Sequence, residues 1–174
     1  MKRFLLALLL ACTVSAARAE APECLSTQPD GDGPIAKIDA LLSEGGAFFL
    51  ATADGDQPKL RPLGAHHLVD GTLWFGVGEF KNVYRQLAAN PKCEIVSLQP
   101  GGSQWLRYTG RAVFAEGDER EKLEELFLEA APGLRNIYDK KPGHRMMCFY
   151  LDGARAELVP LMPPGEVLLD ETAR

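Results

Sequence analysis

K-L-R-P-L-G at residues 59–64, T-L-W-F-G-V-G-E-F-K-N-V-Y-R-Q-L at 72–87 and Q-W-L-R-Y-T-G-R-A-V-F at 104–114 decide the reading of this chain. The first is a cationic strand carrying Lys59 and Arg61. The second is an aromatic strand that runs through a short glycine-flanked loop to Lys81, which opens a helix. The third is a strand that displays Trp105 and Arg107. Two arginines and a lysine at strand, loop and helix junctions, with a tryptophan nearby, suit an aromatic ligand that carries a phosphate. Guanidinium and ammonium groups hold the anion, the helix start adds its dipole, and an indole stacks on a ring.

Working outward, the chain has a mixed order of helices and strands without an internal repeat. Ile35, Ile38, Leu41 and Leu42 share one face of a short helix from Pro34 to Glu44, stopped by Gly45-Gly46. Ala47 to Ala53 reads as a strand, turned by D-G-D-Q-P into a second from Lys59 to Val69. Asp70-Gly71 is a two-residue hairpin signal leading to Thr72–Val77. Phe80 to Ala89 is helical and closes at Asn90-Pro91. Lys92–Leu98 and Gln104–Ala115 are strands joined by P-G-G-S. Asp118–Ala130 is an acidic amphipathic helix, with a second helical piece after Pro132. Met146–Leu151 and Ala154–Pro160 read as a last hairpin around Asp152-Gly153, and residues 161–174 as a tail. The expected class is α+β, mainly β. Six or seven short-linked antiparallel strands avoid exposed edges by closing into a barrel with flanking helices.

The ordered fragments Leu60-Arg61-Pro62, Leu73-Trp74-Phe75, Lys81-Asn82-Val83-Tyr84, Gln86-Leu87, Asn90-Pro91 and Trp105-Leu106-Arg107 resemble the pyridoxamine-5′-phosphate-oxidase-like family. The resemblance spans about residues 34–160. It implies an FMN-binding split β-barrel with its site at a homodimer interface. It implies that Arg61, in its Pro62 context, and Lys81 hold the FMN phosphate, with Asn82 beside them. Trp105 and Arg107 would lie near the cofactor, contributed by the second subunit. Gly76-Val77-Gly78 reads as a tight loop that lets the backbone approach closely, so Val77 and Gly78 join the expected cofactor-binding set. Relatives often carry Thr or Ser at position 77, and Val lacks that hydroxyl. His66 and His67 stand where relatives carry apolar or aromatic residues. If strand alternation holds from Lys59 to Val69, His67 shares the face of Arg61 and reaches the pocket.

The N-terminus reads as an export signal over residues 1–19. Lys2 and Arg3 precede an apolar run from Phe4 to Val14, and Ala17-Arg18-Ala19 is an A-x-A cleavage site. The run is too short to span a bilayer. Leu9-Leu10-Ala11-Cys12 is the alternative, a lipoprotein box that would anchor the chain at Cys12. Residues 20–33, rich in Pro, Asp, Gly and Ser, read as a linker, leaving 34–160 as one domain. The chain has a formal net charge of −5, and cleavage after Ala19 removes three cations and no acid. That balance argues against nucleic acid or anionic membrane as the main partner. Cys93 and Cys148 occupy strand positions that expect apolar side chains, and read as buried hydrophobes before a disulfide. No C-x-x-C, H-E-x-x-H or G-x-S-x-G is present, so no metal site or serine nucleophile is indicated.

Three functional classes remain at this level. The first is an exported, periplasmic or extracellular FMN-dependent oxidoreductase of unknown substrate and electron donor, the flavin carrying the redox chemistry. The second is a haem-binding or haem-degrading split barrel, encouraged only by the histidines. The third is a dimeric binding module that has kept the barrel but lost FMN.

Overall fold

In the computed structural model, which describes residues 33–139, 141–162 and 165–172, the first element is α1 (Pro34–Gly45). Pro34 sits in the first turn, where a missing N–H breaks no helical bond and the fixed φ suits the helix. Ile38 and Leu42, one turn apart, are fully buried. The residues read as an export signal, Cys12, Cys24 and the stretch read as a linker up to residue 32 lie outside the described residues.

β1 (Phe48–Asp54) alternates buried with more exposed positions along its first five residues and turns at Gly55 into β2 (Gln57–Leu63). β3 (His66–Val69) and β4 (Thr72–Gly78) form a second hairpin. Asp70 and Gly71 at its tip both take positive φ, the geometry whose twist matches paired strands. Then come α2 (Asn82–Ala89), β5 (Lys92–Leu98), β6 (Gln104–Phe114), α3 (Gly117–Ala130), a 3-10 turn (Pro132–Asn136), β7 (Met146–Pro160) and β8 (Glu166–Asp170). The strands lie in the order β2-β1-β5-β6-β7-β4-β3, with β8 also on β7. Every pairing is antiparallel. No ladder joins β2 to β3 among the described residues. The sheet is therefore open on that side, the split barrel with flanking helices that the sequence led us to expect.

Three segments differ from their sequence reading. The expected strand from Lys59 to Val69 breaks at Gly64-Ala65, and its halves become β2 and β3 at opposite ends of the sheet. Pro58 and Pro62 cannot donate to a second ladder, which suits β2 to an edge. The expected hairpin at Asp152-Gly153 is a bulge within one long strand. Gly153 has φ +56°, and the β6–β7 register shifts between Thr109 and Arg111. Gly110 permits this bend, since a Cβ there would stand 2.9 Å from Leu151 Cβ. The residues read as a tail supply β8, which pairs with β7.

Two apolar clusters hold the fold. Inside the barrel, Phe48, Leu50, Phe75, Ile95, Leu106 and Phe149 pack with Ile38 and Leu42 of α1 and Val83 and Leu87 of α2. Behind the sheet, Leu123, Phe127 and Leu128 of α3 cover Trp74, Met146 and Cys148. Trp74 and Phe75 are neighbours that serve different clusters because successive strand side chains point to opposite faces. β4 is thus buried on both sides, and α2 follows from its end.

Candidate functional site at the start of α2

Arg61 pairs in register with Leu50, a fully buried residue, so its side chain lies on the barrel's inner face. Arg61 Nη1 donates to the Leu50 carbonyl at 3.2 Å and to Thr52 Oγ1 at 2.7 Å. Arg61 Nη2 donates to Gln86 Oε1 at 2.8 Å. Thr52 Oγ1 donates to the same Gln86 oxygen at 2.7 Å, and Gln86 Nε2 reaches Asp54 Oδ2 at 3.3 Å. One guanidinium therefore ties β1, β2 and α2 together. Its burial lowers the Arg61 pKa from the ordinary value, but an arginine starts so high that it stays charged. Among the described residues, three of its five N–H donors are engaged.

Lys81 is the N-cap residue of α2. It has no side-chain cap bond, and the first helical turn carries no acid. This is an unusual start, because N-caps favour side chains that accept hydrogen bonds and lysine cannot accept one. A cation also opposes the helix dipole at this end. Lys81 is exposed, with Nζ 5.9 Å from the Phe80 ring centre and 5.8 Å from that of Tyr138. It makes no ion pair among the described residues. Asn82 is exposed, and its Oδ1 accepts from Arg85 Nη2. Gly78 precedes this start and is buried. A Cβ there would meet the Phe80 and Tyr138 rings at 3.1 Å and Lys81 Cγ at 3.2 Å.

Val77 is a different matter. Its side chain is 1 % exposed inside the barrel cluster, facing the core rather than the loop surface. A hydroxyl at this position would enter the apolar interior, so the Thr-for-Val comparison drawn from relatives does not describe a phosphate contact here.

Trp105, Arg107 and Pro62 are not gathered with Arg61 and Lys81. Trp105 and Arg107 alternate with buried Leu106 and Tyr108 on β6 and therefore occupy the outer face. Arg107 stands 3.2 Å from Glu94 and 3.3 Å from Glu157, so two carboxylates neutralise it. Pro62 pairs with Phe49 on the same outer face. Around them Leu60, Phe49 and Leu98 are 66 %, 42 % and 56 % exposed, an apolar stripe across β2, β1 and β5.

The histidines are core residues. The break at Gly64 separates His67 from the face of Arg61. His67 is buried with its ring edge-on to Phe127, centroids 4.6 Å apart. His66 is buried on the other face of β3, with Nε2 3.2 Å from Asp39 Oδ1 and 3.3 Å from Ser43 Oγ. Cys93 and Cys148 are both free and buried.

Sequence reading missed Thr52, Gln86 and Arg85. Gln86 and Arg85 lie in the informative stretch, but only the pairing of β1 with β2 and the docking of α2 show what they touch. With Asp54, Asn82 and Asn90, Arg85 and Gln86 line a cleft of about 390 Å³ along α2.

A split barrel whose doubly buried strand β4 leads into a helix opened by Lys81 defines a class, and sequence comparison agrees with it. The profile of the pyridoxamine 5′-phosphate oxidase family matches residues 35–152. Among solved structures, a NimC/NimA family protein from Clostridium acetobutylicum is 33 % identical, with a TM-score of 0.67 over 77 % of this chain and 90 % of that one. A heme binding protein from Mycobacterium smegmatis superimposes with a TM-score of 0.62 at 17 % identity, over 82 % of this chain and 60 % of that one. A pyridoxamine 5′-phosphate oxidase-related, FMN binding protein from Nostoc punctiforme does so at 0.55 and 17 %, over 74 % and 85 %. These last two share the fold. No curated protein matches the chain significantly. The chain belongs to the pyridoxamine 5′-phosphate oxidase family.

Proposed function

We propose that this protein binds FMN as an exported homodimeric oxidoreductase, with the phosphate held at the start of α2. The observation that carries this reading is the construction of that start. Lys81 adds a positive charge where the helix dipole is already positive, and no acid or capping side chain of α2 answers either. The N–H groups of Asn82 and Val83 have no acceptor within the helix. A phosphate supplies the negative charge and the acceptors that this sequence omits. Arg85, one turn along, and the Arg61 guanidinium extend the same cationic set. FMN, when bound, supplies the electron-transfer chemistry. The chain's part is to hold the phosphate, orient the ring and shield it from water.

The outer stripe supports the second subunit. Leu60, Phe49 and Leu98 expose large apolar surface beside half-buried Trp105, and a second copy of the same stripe would cover it. Docking would also carry Trp105 and Arg107 toward the partner's flavin. The NimC/NimA relative and the FMN-binding neighbour support the family setting of this reading. Haem has the fold of one neighbour in its favour, but both histidines are buried, His66 beside Asp39 and Ser43 and His67 against Phe127, rather than facing the cleft along α2. Export is supported by the signal-like sequence of residues 1–19.

The deciding experiment is to add FMN, riboflavin and haem separately to full-length protein and remove the unbound fraction. Retained FMN absorbance, with riboflavin held much more weakly, is the expected result. A Soret band without flavin retention, or equal retention of FMN and riboflavin, would overturn the phosphate site.

A further inference from the structure

A second cleft, of about 300 Å³, opens at the other end of β4 from α2, around Thr72, Tyr108, Tyr150, Asp152 and Glu171. The seven residues of β4 separate its two ends by roughly 20 Å, so this cleft is not part of the phosphate site. Tyr108 is 98 % buried, its exposure being 2 %, yet its hydroxyl makes no hydrogen bond among the described residues. The hydroxyl oxygen is not among the fully enclosed unpartnered atoms, and Tyr108 lines the cleft, so the little surface this residue keeps opens onto the cleft. Burial and the nearby Glu171 carboxylate both push its pKa up, so the hydroxyl stays neutral.

Glu171 is fixed in place. Its Oε2 accepts from the Ala154 N–H at 3.2 Å, and its own N–H donates to the Ala154 carbonyl at 2.9 Å. That leaves Oε1 for another donor. Asp152 adds a second acid, and no Lys or Arg among the described residues lines the cleft. Ile35, Leu73 and Leu151 make the remaining wall apolar.

We propose that this cleft binds a small organic cation, an ammonium group carried on a short apolar body. The ammonium donates to Glu171 Oε1 and to a lone pair of the Tyr108 hydroxyl. The body lies against Ile35, Leu73 and Leu151, and the tyrosine rings add cation–π attraction. Calcium takes six to eight oxygen ligands, more than the two carboxylates of this cleft supply. No cluster of three or more metal-ligating side chains occurs among the described residues.

The test is calorimetric titration of the full-length protein with 2-phenylethylammonium, with 2-phenylethanol and with calcium chloride. The ammonium probe should bind at least tenfold more tightly than the alcohol. Glu171→Gln keeps an acceptor for the Ala154 N–H but removes the charge. It should weaken the ammonium probe at least tenfold while leaving FMN affinity unchanged. Tyr108→Phe should weaken it several-fold; should that variant not fold, Glu171→Gln carries the test alone. No binding of the ammonium probe, equal binding of the alcohol, indifference to Glu171→Gln, or displacement by calcium would each overturn the proposal.

Discussion

Arg61 Nη2 donates to Gln86 Oε1 at 2.8 Å, and this bond joins an edge strand to the helix whose start carries Lys81. The same oxygen accepts from Thr52, so Gln86 gathers the donors of both strands of the first hairpin. Removing it leaves a buried hydroxyl and a half-buried guanidinium short of an acceptor. We expect Gln86→Ala to lower stability by about 1–3 kcal/mol and to weaken FMN. Urea unfolding should show a lower midpoint with an unchanged slope. An unchanged midpoint would mean that water replaces Gln86 without cost.

Lys81 separates ligand binding from stability. In the free protein its charge opposes the helix dipole, worth about 0.3–1 kcal/mol. Its contacts with the Phe80 and Tyr138 rings favour it by a similar amount, roughly 0.5–1 kcal/mol at an exposed site. Lys81→Ala should therefore change the stability of the free protein by less than about 1 kcal/mol. It should weaken FMN about tenfold or more and leave riboflavin nearly untouched, because the lost bond is charge-assisted. Parallel titrations of the two flavins check this, and equal losses would remove Lys81 from the phosphate site.

Val77→Thr puts a hydroxyl into the barrel core. The side chains are alike in shape, but the polar group has no partner prepared for it. We expect a loss of about 1–3 kcal/mol without tighter FMN binding. Thermal unfolding and a flavin titration of one preparation decide the point. Tighter binding at unchanged stability would show that residue 77 faces the ligand.

Burial pushes the Cys93 and Cys148 thiols up to about 12. Both should resist alkylation at pH 8 in the native state and react once the chain unfolds, as mass spectrometry of the modified protein would show. Stability follows with a definite sign. Between pH 9 and pH 12 the unfolded thiols lose protons that the folded ones keep, so stability falls as pH rises. The slope is at most about 1.4 kcal/mol per pH unit for each thiol. Denaturant midpoints at pH 7, 9 and 10 measure it, and a flat profile would mean that the thiols ionise freely in the folded chain.

The outer stripe makes the dimer testable by charge. Leu60 and Leu98 point outward from β2 and β5, away from the barrel core, so Leu60→Asp with Leu98→Asp should leave the barrel folded and produce monomer. Sedimentation at micromolar concentration should show the halved mass, with reduced FMN retention if Trp105 and Arg107 act across the interface. A wild-type chain that sediments as a monomer would end the dimer reading.

The sequence by itself determined the strand class, most of the turns and the helix that begins at Lys81. Those features rest on local rules. Asp70-Gly71 takes positive φ because of its own residues, and Ile38 and Leu42 share a helical face whatever they pack against. Family membership was likewise legible, since it resides in an ordered set of short fragments. Only tertiary structure decided where side chains went after a break or a bulge. Period-2 alternation carries a face assignment along a strand until the chain turns, and one break at Gly64 moved His67 from the side of Arg61 to the pocket of Phe127. Gly153 did the opposite, because the facing Gly110 let two strands bend as one. The partners of Arg61 and Arg107 come from strands and a helix distant in sequence. Which cations stay free for a ligand is therefore fixed by long-range pairing, which residue spacing does not encode.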